Sequence, residues 1–146
     1  MGSWIWDIEK KQRAHLFAIF AVISFMQFED LEAWKKARKL VSHVYGLCRQ
    51  PSLTRDYGIK DQIRRASLSV MSNLAEGFER THKAEKIHLY KIARASAGEV
   101  RSLLYVIEDQ KAAEADQLEE LRKLVDTVGK LVTGLIRSTG KCVIRQ

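Results

Sequence analysis

The sequence predicts an all-α protein, an up-and-down antiparallel four-helix bundle with an extra N-terminal apolar segment. Its 146 residues suit one hydrophobic core and include only one proline and eight glycines, so few positions interrupt a helix. Apolar residues recur at spacings of three and four, and the alternation typical of strands is scarce. Four long segments with this helical pattern are separated by short connections, which favour antiparallel neighbours.

An N-terminal extension, residues 1–27, precedes the regular pattern. It contains the apolar run LFAIFAVISFM (16–26), with basic residues before it. A signal peptide has a similar start, but acidic residues interrupt the charged part and no small-residue cleavage site follows. The run is also shorter than the about 20 apolar residues that span a bilayer. Two interpretations stay open: an extra amphipathic helix that docks on the domain or on a partner, or a stretch upstream of a working protein that begins at Met26.

Helix one is predicted over residues 28–48, FEDLEAWKKARKLVSHVYGLC. Pro51 ends it, because proline disfavours helical geometry in the residue before it. Residues 50–58 are interpreted as a connector. The apolar residues of helix one recur at spacings of three, four or their multiples, as one face of a helix requires: Leu31, Trp34, Val41, Val44, Tyr45 and Cys48.

Helix two is predicted over residues 59–78, with Gly77 as the break near its end. The turn that follows offers Thr81 as an N-cap for helix three. The apolar stripe of helix two has regular helical spacing and comprises Ile63, Ala66, Val70, Leu74 and Gly77.

Helix three is predicted over residues 83–111 and helix four over residues 115–138, with the connector AAEAD (112–116) at their boundary and Gly140 ending helix four. The bundle therefore covers residues 28–140, and residues 141–146 form a tail. The predicted inner positions of helix three are Leu89, Ile92, Ala93, Ser96, Val100, Leu103 and Ile107. Those of helix four are Leu118, Leu121, Val125, Val128, Val132 and Leu135.

The formal net charge of +7 favours anionic partners, with nucleic acid first and an anionic membrane second. Helix one carries the densest basic cluster. Such a cluster is either a solvated helix face or a strip that contacts phosphates. The candidate nucleic-acid-binding residues, called the α1 basic cluster below, are Lys35, Lys36, Arg38 and Lys39.

Catalytic and metal-binding patterns are not found in the sequence. It has no glycine-rich phosphate loop, no GxSxG and no HExxH, and the four histidines are scattered. Neither a catalytic residue nor a metal or other cofactor is expected. Of the two cysteines, Cys48 falls on an apolar stripe and is predicted to be buried, and a disulfide framework is not expected. Cysteine usage of this kind fits a reducing cytoplasm.

Polar residues follow one side of helix two, beside the apolar stripe. They recur at helical spacing as Gln62, Arg65, Ser69, Asn73 and Glu76. Counted outward from a turn near residue 81, Arg65 and Glu99 stand at similar heights on antiparallel helices, which predicts an ion pair between them. We interpret Arg65, Asn73, Ser96 and Glu99 as a structural polar network that fixes the register of the bundle. The alternative is that part of the row faces another subunit.

Two segments carry a family resemblance. QIRRASLSVMSNLAEGFER, followed by HLYKIARASAGEVRSLL, resembles the paired signature of the bacterial proteins encoded in intervening sequences of 23S ribosomal RNA genes. The opening FEDLEAWKKARKL also fits, and the resemblance covers residues 26–138. The matching positions on helix two are Gln62, Arg64, Arg65, Ala66, Ser69, Asn73, Ala75, Glu76 and Gly77. Those on helix three are Ile92, Ala93, Ser96 and Glu99.

The resemblance implies an up-and-down four-helix bundle that assembles as a ring-shaped homopentamer, without catalytic residues. A related branch, the accessory variability proteins of diversity-generating retroelements, binds reverse transcriptase and nucleic acid. The sequence departs from the family pattern at Lys60, at Ser67 and Leu68, and in residues 1–25, which have no counterpart.

Together these observations predict a non-enzymatic, cytoplasmic homo-oligomer that binds structured RNA or another nucleic acid through phosphate contacts. The alternative is a protein-interaction scaffold, such as an accessory subunit of a reverse transcriptase. No membrane partner is expected.

Overall fold

The computed structural model describes residue 8 and residues 10–16 and 26–141, and within these all regular secondary structure is helical, with no β-strand. The prediction of an all-α protein is therefore confirmed for the described part of the chain. A 3-10 turn, Phe28–Asp30, leads into four long helices, and a single helical turn, Pro51–Thr54, lies between the first two. The long helices are α1 (Glu32–Leu47), α2 (Tyr57–Glu79), α3 (Lys83–Asp109) and α4 (Ala115–Lys141).

The N-terminal extension lies mostly outside the described residues. Residues 10–16 are helical and exposed, whereas the remainder of the apolar run from residue 17 to residue 25 is not described. Both interpretations of this segment therefore stay predictions.

Helix α1 begins later than the sequence predicted. Leu31 adopts an extended conformation (φ −64°, ψ 121°), which separates the 3-10 turn at residues 28–30 from the α-helix that starts at Glu32. The turn packs back on the helix, because the rings of Phe28 and Trp34 meet edge to face with their centroids 5.0 Å apart. The 3-10 turn therefore covers one side of Trp34.

Helix α2 begins earlier than predicted, at Tyr57. The reason is Asp56, whose Oδ1 accepts a hydrogen bond of 3.1 Å from the backbone N–H of Ile59 and so caps the first turn. Lys60, the position at which the sequence departs from the family pattern, lies inside the helix. Its side chain lies over the ring of Tyr57 and donates to the carbonyl of Thr54.

Hydrogen bonds made by side chains define how the long helices run. Ser69 of α2 contacts Ser96 of α3, and Lys86 near the start of α3 donates to the carbonyl of Phe78 at the end of α2, so these helices are antiparallel. Arg101 of α3 likewise meets Asp126 of α4, while Lys83 reaches the carbonyl of Gly140. Helix α1 packs on α2 and α4, α2 on α3, and α3 on α4.

The core lies between the four long helices. The predicted stripes of α2 and α4 are buried as expected, except that Leu135 is only partly buried. The core face of α1 is rotated from the predicted one. Trp34 and Tyr45 lie at its border, and the buried face comprises Ala33, Ala37, Leu40, Val44 and Leu47. Small alanines on this face let α1 approach its neighbours closely. Cys48 is buried as predicted, and burial raises the pKa of its thiol.

The connection between α3 and α4 ends α3 sharply. Lys111 has φ 50°, in the left-handed region, and the N–H of Ala112 bonds the carbonyl of Ile107 at 3.0 Å. This is the Schellman arrangement that terminates helices, with lysine at the position where glycine is usual. At the other end, α4 continues through Gly140, the predicted stop, to Lys141. Helical propensity alone does not stop α4 there, because an exposed glycine adds only a modest cost.

Candidate nucleic-acid interface

The α1 basic cluster lies on the outer side of α1. Lys35, Arg38 and Lys39 are exposed, and Lys36 is half-buried. Lys35 and Lys39 are one helical turn apart, so their ammonium groups project from neighbouring points of the surface. Within the described residues no acidic side chain forms an ion pair with either of them. These two lysines therefore carry charge that no acidic neighbour compensates.

The other two members of the cluster have local partners. Lys36 Nζ lies 3.7 Å from Glu32, a pair at i, i+4. The guanidinium of Arg38 lies 5.8 Å from the centroid of the Trp34 ring, within the range of a cation–π contact. Both contacts leave the side chains accessible to solvent, so all four cations remain available to an anionic ligand.

Three of the polar side chains between α2 and α3 form one hydrogen-bonded group. The hydroxyls of Ser69 and Ser96 are 2.8 Å apart, and Asn73 Nδ2 donates to the carbonyl of Ser69 at 2.8 Å and to its hydroxyl at 3.1 Å. Ser96 is only 8% exposed, so Ser69 supplies a partner for a buried hydroxyl. Ser69 joins two members of the predicted network, Asn73 and Ser96.

The predicted ion pair between Arg65 and Glu99 is wrong. Arg65 pairs with Asp61 on its own helix at 3.6 Å, and its side chain is 75% exposed. Glu99 instead accepts a hydrogen bond from Gln62. Residues 65 and 99 were correctly placed at similar heights on the two helices. Gln62, which does reach Glu99, lies three residues before Arg65, and three residues of α-helix fall about 60° short of a full turn. The side chain of Arg65 therefore points away from α3.

The first arginine of the family signature has a different contact, which sequence reasoning missed. The guanidinium of Arg64 stacks over the ring of Tyr45, 4.4 Å from its centroid, and joins α2 to α1. The phenol oxygen of Tyr45, which can only accept from the guanidinium, is the main cause that raises the pKa of Arg64. The sequence signal was the pairing of an arginine with an aromatic residue at the border of two predicted stripes.

Gly77 provides a close approach between α2 and α3 instead of a helix break. A Cβ atom at this position would lie 2.5 Å from Cε1 and 2.8 Å from Cδ1 of Tyr90. Tyr90 is among the largest fully buried side chains, so its ring has no room to retreat. Glycine at position 77 therefore determines how near the two helices come.

A groove of about 610 Å³ separates α3 from α4, and sequence reasoning missed it. Three helical glycines lie along it, Gly98, Gly129 and Gly134, and a Cβ at any of them would meet none of the other described residues within 4 Å, apart from its own stretch of helix. The basic side chains of this α3–α4 groove are Arg94, Arg101, Lys130 and Arg137, and its one acidic residue is Asp126. Glycines inside otherwise amphipathic helices were the available signal, because each costs helix stability.

Within the described part of the chain, no three His, Cys, Asp or Glu side chains are grouped so that they could hold a metal ion. In the same residues, none of the helices combines the length and the apolar character needed to cross a membrane.

The class of protein defined by this geometry is an all-helical domain of long, antiparallel-packed helices with a basic surface. The chain belongs to the 23S rRNA-intervening sequence protein family, whose model matches residues 29–134.

A solved structure supports the fold. The chain is similar to a protein of unknown function from the S23 ribosomal protein family of Bacteroides thetaiotaomicron VPI-5482, with a TM-score of 0.67 and 19% sequence identity. The similarity covers 72% of this chain and 95% of that one. No curated protein matches the chain.

Proposed function

We propose that this protein is a non-enzymatic, homo-oligomeric four-helix bundle of the bacterial cytoplasm that binds structured RNA through its phosphates. The observation that carries the proposal is the uncompensated positive charge on the outer face of α1, at Lys35 and Lys39, in a chain of net charge +7. Contacts of this kind position a protein on nucleic acid without reading its bases. Double-stranded RNA is recognised largely through such phosphate and sugar contacts.

The contacts among the long helices support the up-and-down bundle. Each of the four long helices packs on two others, so the contacts close into a cycle. The connections are short: residues 80–82 join α2 to α3, and residues 110–114 join α3 to α4. Closed cycles of antiparallel neighbours are the pattern of a bundle with short loops.

Apolar residues at the border of the core support homo-oligomerisation, for which the family resemblance suggests a pentamer. Leu68 of α2 is exposed, and Trp34, Tyr45 and Met71 are only partly covered within the chain. Leu131 and Ile136, which lie off the main stripe of α4, are partly buried against the core. A ring would repeat the α1 basic cluster once per subunit, and multivalency of this kind raises affinity by about 10²–10⁴.

The test reverses charge on α1 while leaving the packing of Trp34 intact. The variant carries Lys35→Glu, Lys36→Glu and Lys39→Glu and keeps Arg38. We expect it to bind a structured RNA less tightly, with a shallower dependence of log affinity on log salt, because fewer counterions are released. The matched control reverses three exposed arginines elsewhere and so changes the net charge equally: Arg49, Arg55 and Arg80.

Fluorescence anisotropy at several salt concentrations measures the binding, and light scattering measures the mass of the particle. Equal losses in both variants would mean that α1 is not the binding surface. A parent that binds no RNA at low salt would overturn the RNA proposal, and a monomer mass at micromolar concentration would overturn the assembly.

Exposed aromatic residues favour a second candidate function, a scaffold that binds a protein such as a reverse transcriptase. Tyr57 is 74% exposed and Tyr105 is 53% exposed, and tyrosine is enriched in protein interfaces. Co-purification of a purified reverse transcriptase with the parent, and its loss on Tyr57→Ala or Tyr105→Ala substitution, would favour this scaffold over the RNA-binding protein.

A further inference from the structure

The geometry points to the α3–α4 groove as the path of a nucleic-acid strand, held by its phosphates. This inference rests on the proposed RNA binding and assigns it a second surface. The α1 basic cluster lies on a helix that packs on α2 and α4, whereas the groove lies between α3 and α4. The two surfaces can therefore be altered separately.

The cations of the groove alternate between its two walls. Arg101 of α3 is level with Asp126 of α4, to which it bonds at 3.1 Å. Arg94 stands seven residues before Arg101, so on the antiparallel helix it is level with residue 133, between Lys130 and Arg137. Successive cations then come from α3, α4, α3 and α4, and their backbone positions rise by about 4.5–6 Å at each step over about 16.5 Å of helix axis.

A row of cations that alternates between two helices suits a ligand with negative charges at regular intervals along its length. Nucleic acid does so, with one phosphate for each nucleotide of a strand. Asp126 neutralises one cation, Arg101, and the described residues provide no acidic partner for Arg94, Lys130 or Arg137. The groove therefore keeps a net positive charge after the ion pair between Arg101 and Asp126 is subtracted.

The floor of the groove favours a phosphate backbone over a protein helix. Its apolar side chains are Ala97 and Val125, both already buried in the core, so no large apolar side chain is available to a partner protein. Protein interfaces depend on such anchors. Where Gly98, Gly129 and Gly134 lie, a hydrophilic backbone could approach the helices closely.

The first arm of the test reverses two of the groove cations without an acidic partner, with Arg94→Glu and Arg137→Glu together. The control reverses Arg49 and Arg55, which changes the net charge by the same amount. The probe is a fluorescent single-stranded RNA oligonucleotide, titrated at several salt concentrations. We expect the groove variant to bind about tenfold or more weakly than the control, with a salt slope shallower by about 1.4, from two lost phosphate contacts at about 0.7 each.

The second arm fills the groove without changing charge. Gly129→Leu adds a side chain whose Cβ would meet none of the other described residues within 4 Å, and Gly140→Leu is the matched control at a helical glycine outside the groove for which the same holds. Both substitutions should leave the melting temperature unchanged or raised, because leucine favours helix over glycine. Only Gly129→Leu should weaken the binding of RNA.

Three results would overturn the inference and leave the RNA proposal standing. If the parent binds while groove and control variants bind alike, the binding surface lies elsewhere. Displacement of the oligonucleotide by inorganic phosphate at constant ionic strength would indicate a pocket for a single phosphate, and a groove variant whose assembly falls apart would indicate a subunit interface. A parent that binds a structured RNA but not the single-stranded oligonucleotide would also overturn the inference alone, and a parent that binds neither would overturn both proposals.

Discussion

The α2–α3 contact and the α3–α4 groove use glycine in opposite ways. On the side of α2, the place of a missing Cβ at Gly77 is taken by the ring of Tyr90, and the helices are joined further by the hydroxyls of Ser69 and Ser96. On the side of α4, a Cβ at Gly98 or Gly129 would meet no atom of the described residues within 4 Å, apart from its own stretch of helix. A helical glycine thus serves close packing within the chain in the first region and leaves a concave surface in the second.

The difference predicts opposite effects of the same substitution. Gly77→Ala should give the largest loss of stability, about 1–3 kcal/mol, because the new methyl group overlaps a buried ring. Gly98→Ala, on the opposite side of α3, is the control and should not destabilise. Urea unfolding followed by circular dichroism measures both. Equal stability of Gly77→Ala and the parent would show that Tyr90 repacks without cost.

The hydroxyl pair in the closed region should contribute less. Ser69→Ala leaves the buried hydroxyl of Ser96 without its partner on α2, and we expect a loss of about 1 kcal/mol. The double variant Ser69→Ala, Ser96→Ala should lose less than the sum of the single variants, since the partners are removed together. Additive losses in the same denaturation experiment would show that the two hydroxyls do not stabilise each other.

In the open region, Gly129→Ala should stabilise the chain. Alanine is better than glycine in a helix interior by about 0.5–1 kcal/mol, and nothing in the groove obstructs its methyl group. The melting temperature should rise accordingly. A fall would contradict the open geometry and indicate that the groove is closed against another part of the protein or a second subunit.

The smallest effect is expected at Arg65. Because its partner, Asp61, lies on the same helix and both side chains are largely exposed, Arg65→Ala should change stability by no more than about 0.5 kcal/mol. The buried pair with Glu99 that the sequence suggested would have cost several times more. A loss above about 2 kcal/mol in urea denaturation would mean that Arg65 also contacts α3.

Large aliphatic residues made the cores of α2 and α4 predictable. Their stripes contain leucine, isoleucine and valine at regular spacing, so periodicity alone identified the buried face. In α1 the buried face includes Ala33 and Ala37, whose weak hydrophobicity was outweighed by Trp34 and Tyr45 at the border. Tertiary packing decides whether a small or a large residue is the one that is buried, and the spacing of apolar residues along the sequence does not reveal that choice.

The candidate sites were less predictable than the core. Composition indicated the α1 basic cluster, but its pairing with Glu32 and Trp34 depends on side-chain direction. The α3–α4 groove brings together cations from two helices whose heights become comparable only after the antiparallel register is known. Counting residues from a turn gave the height of Arg65 correctly and its direction around the helix wrongly, for the same reason.

The three-residue connection between α2 and α3, residues 80–82, has a kinetic consequence. Closing so short a loop costs little chain entropy, whereas the contact between α1 and α4 joins opposite ends of the described domain. The α2–α3 hairpin should therefore form in the rate-limiting transition state for folding, with α1 docking later. Stopped-flow measurements should then find that Ser96→Ala mainly slows folding, while Val44→Ala on α1 mainly accelerates unfolding. The reverse assignment would place the folding nucleus on the side of α1.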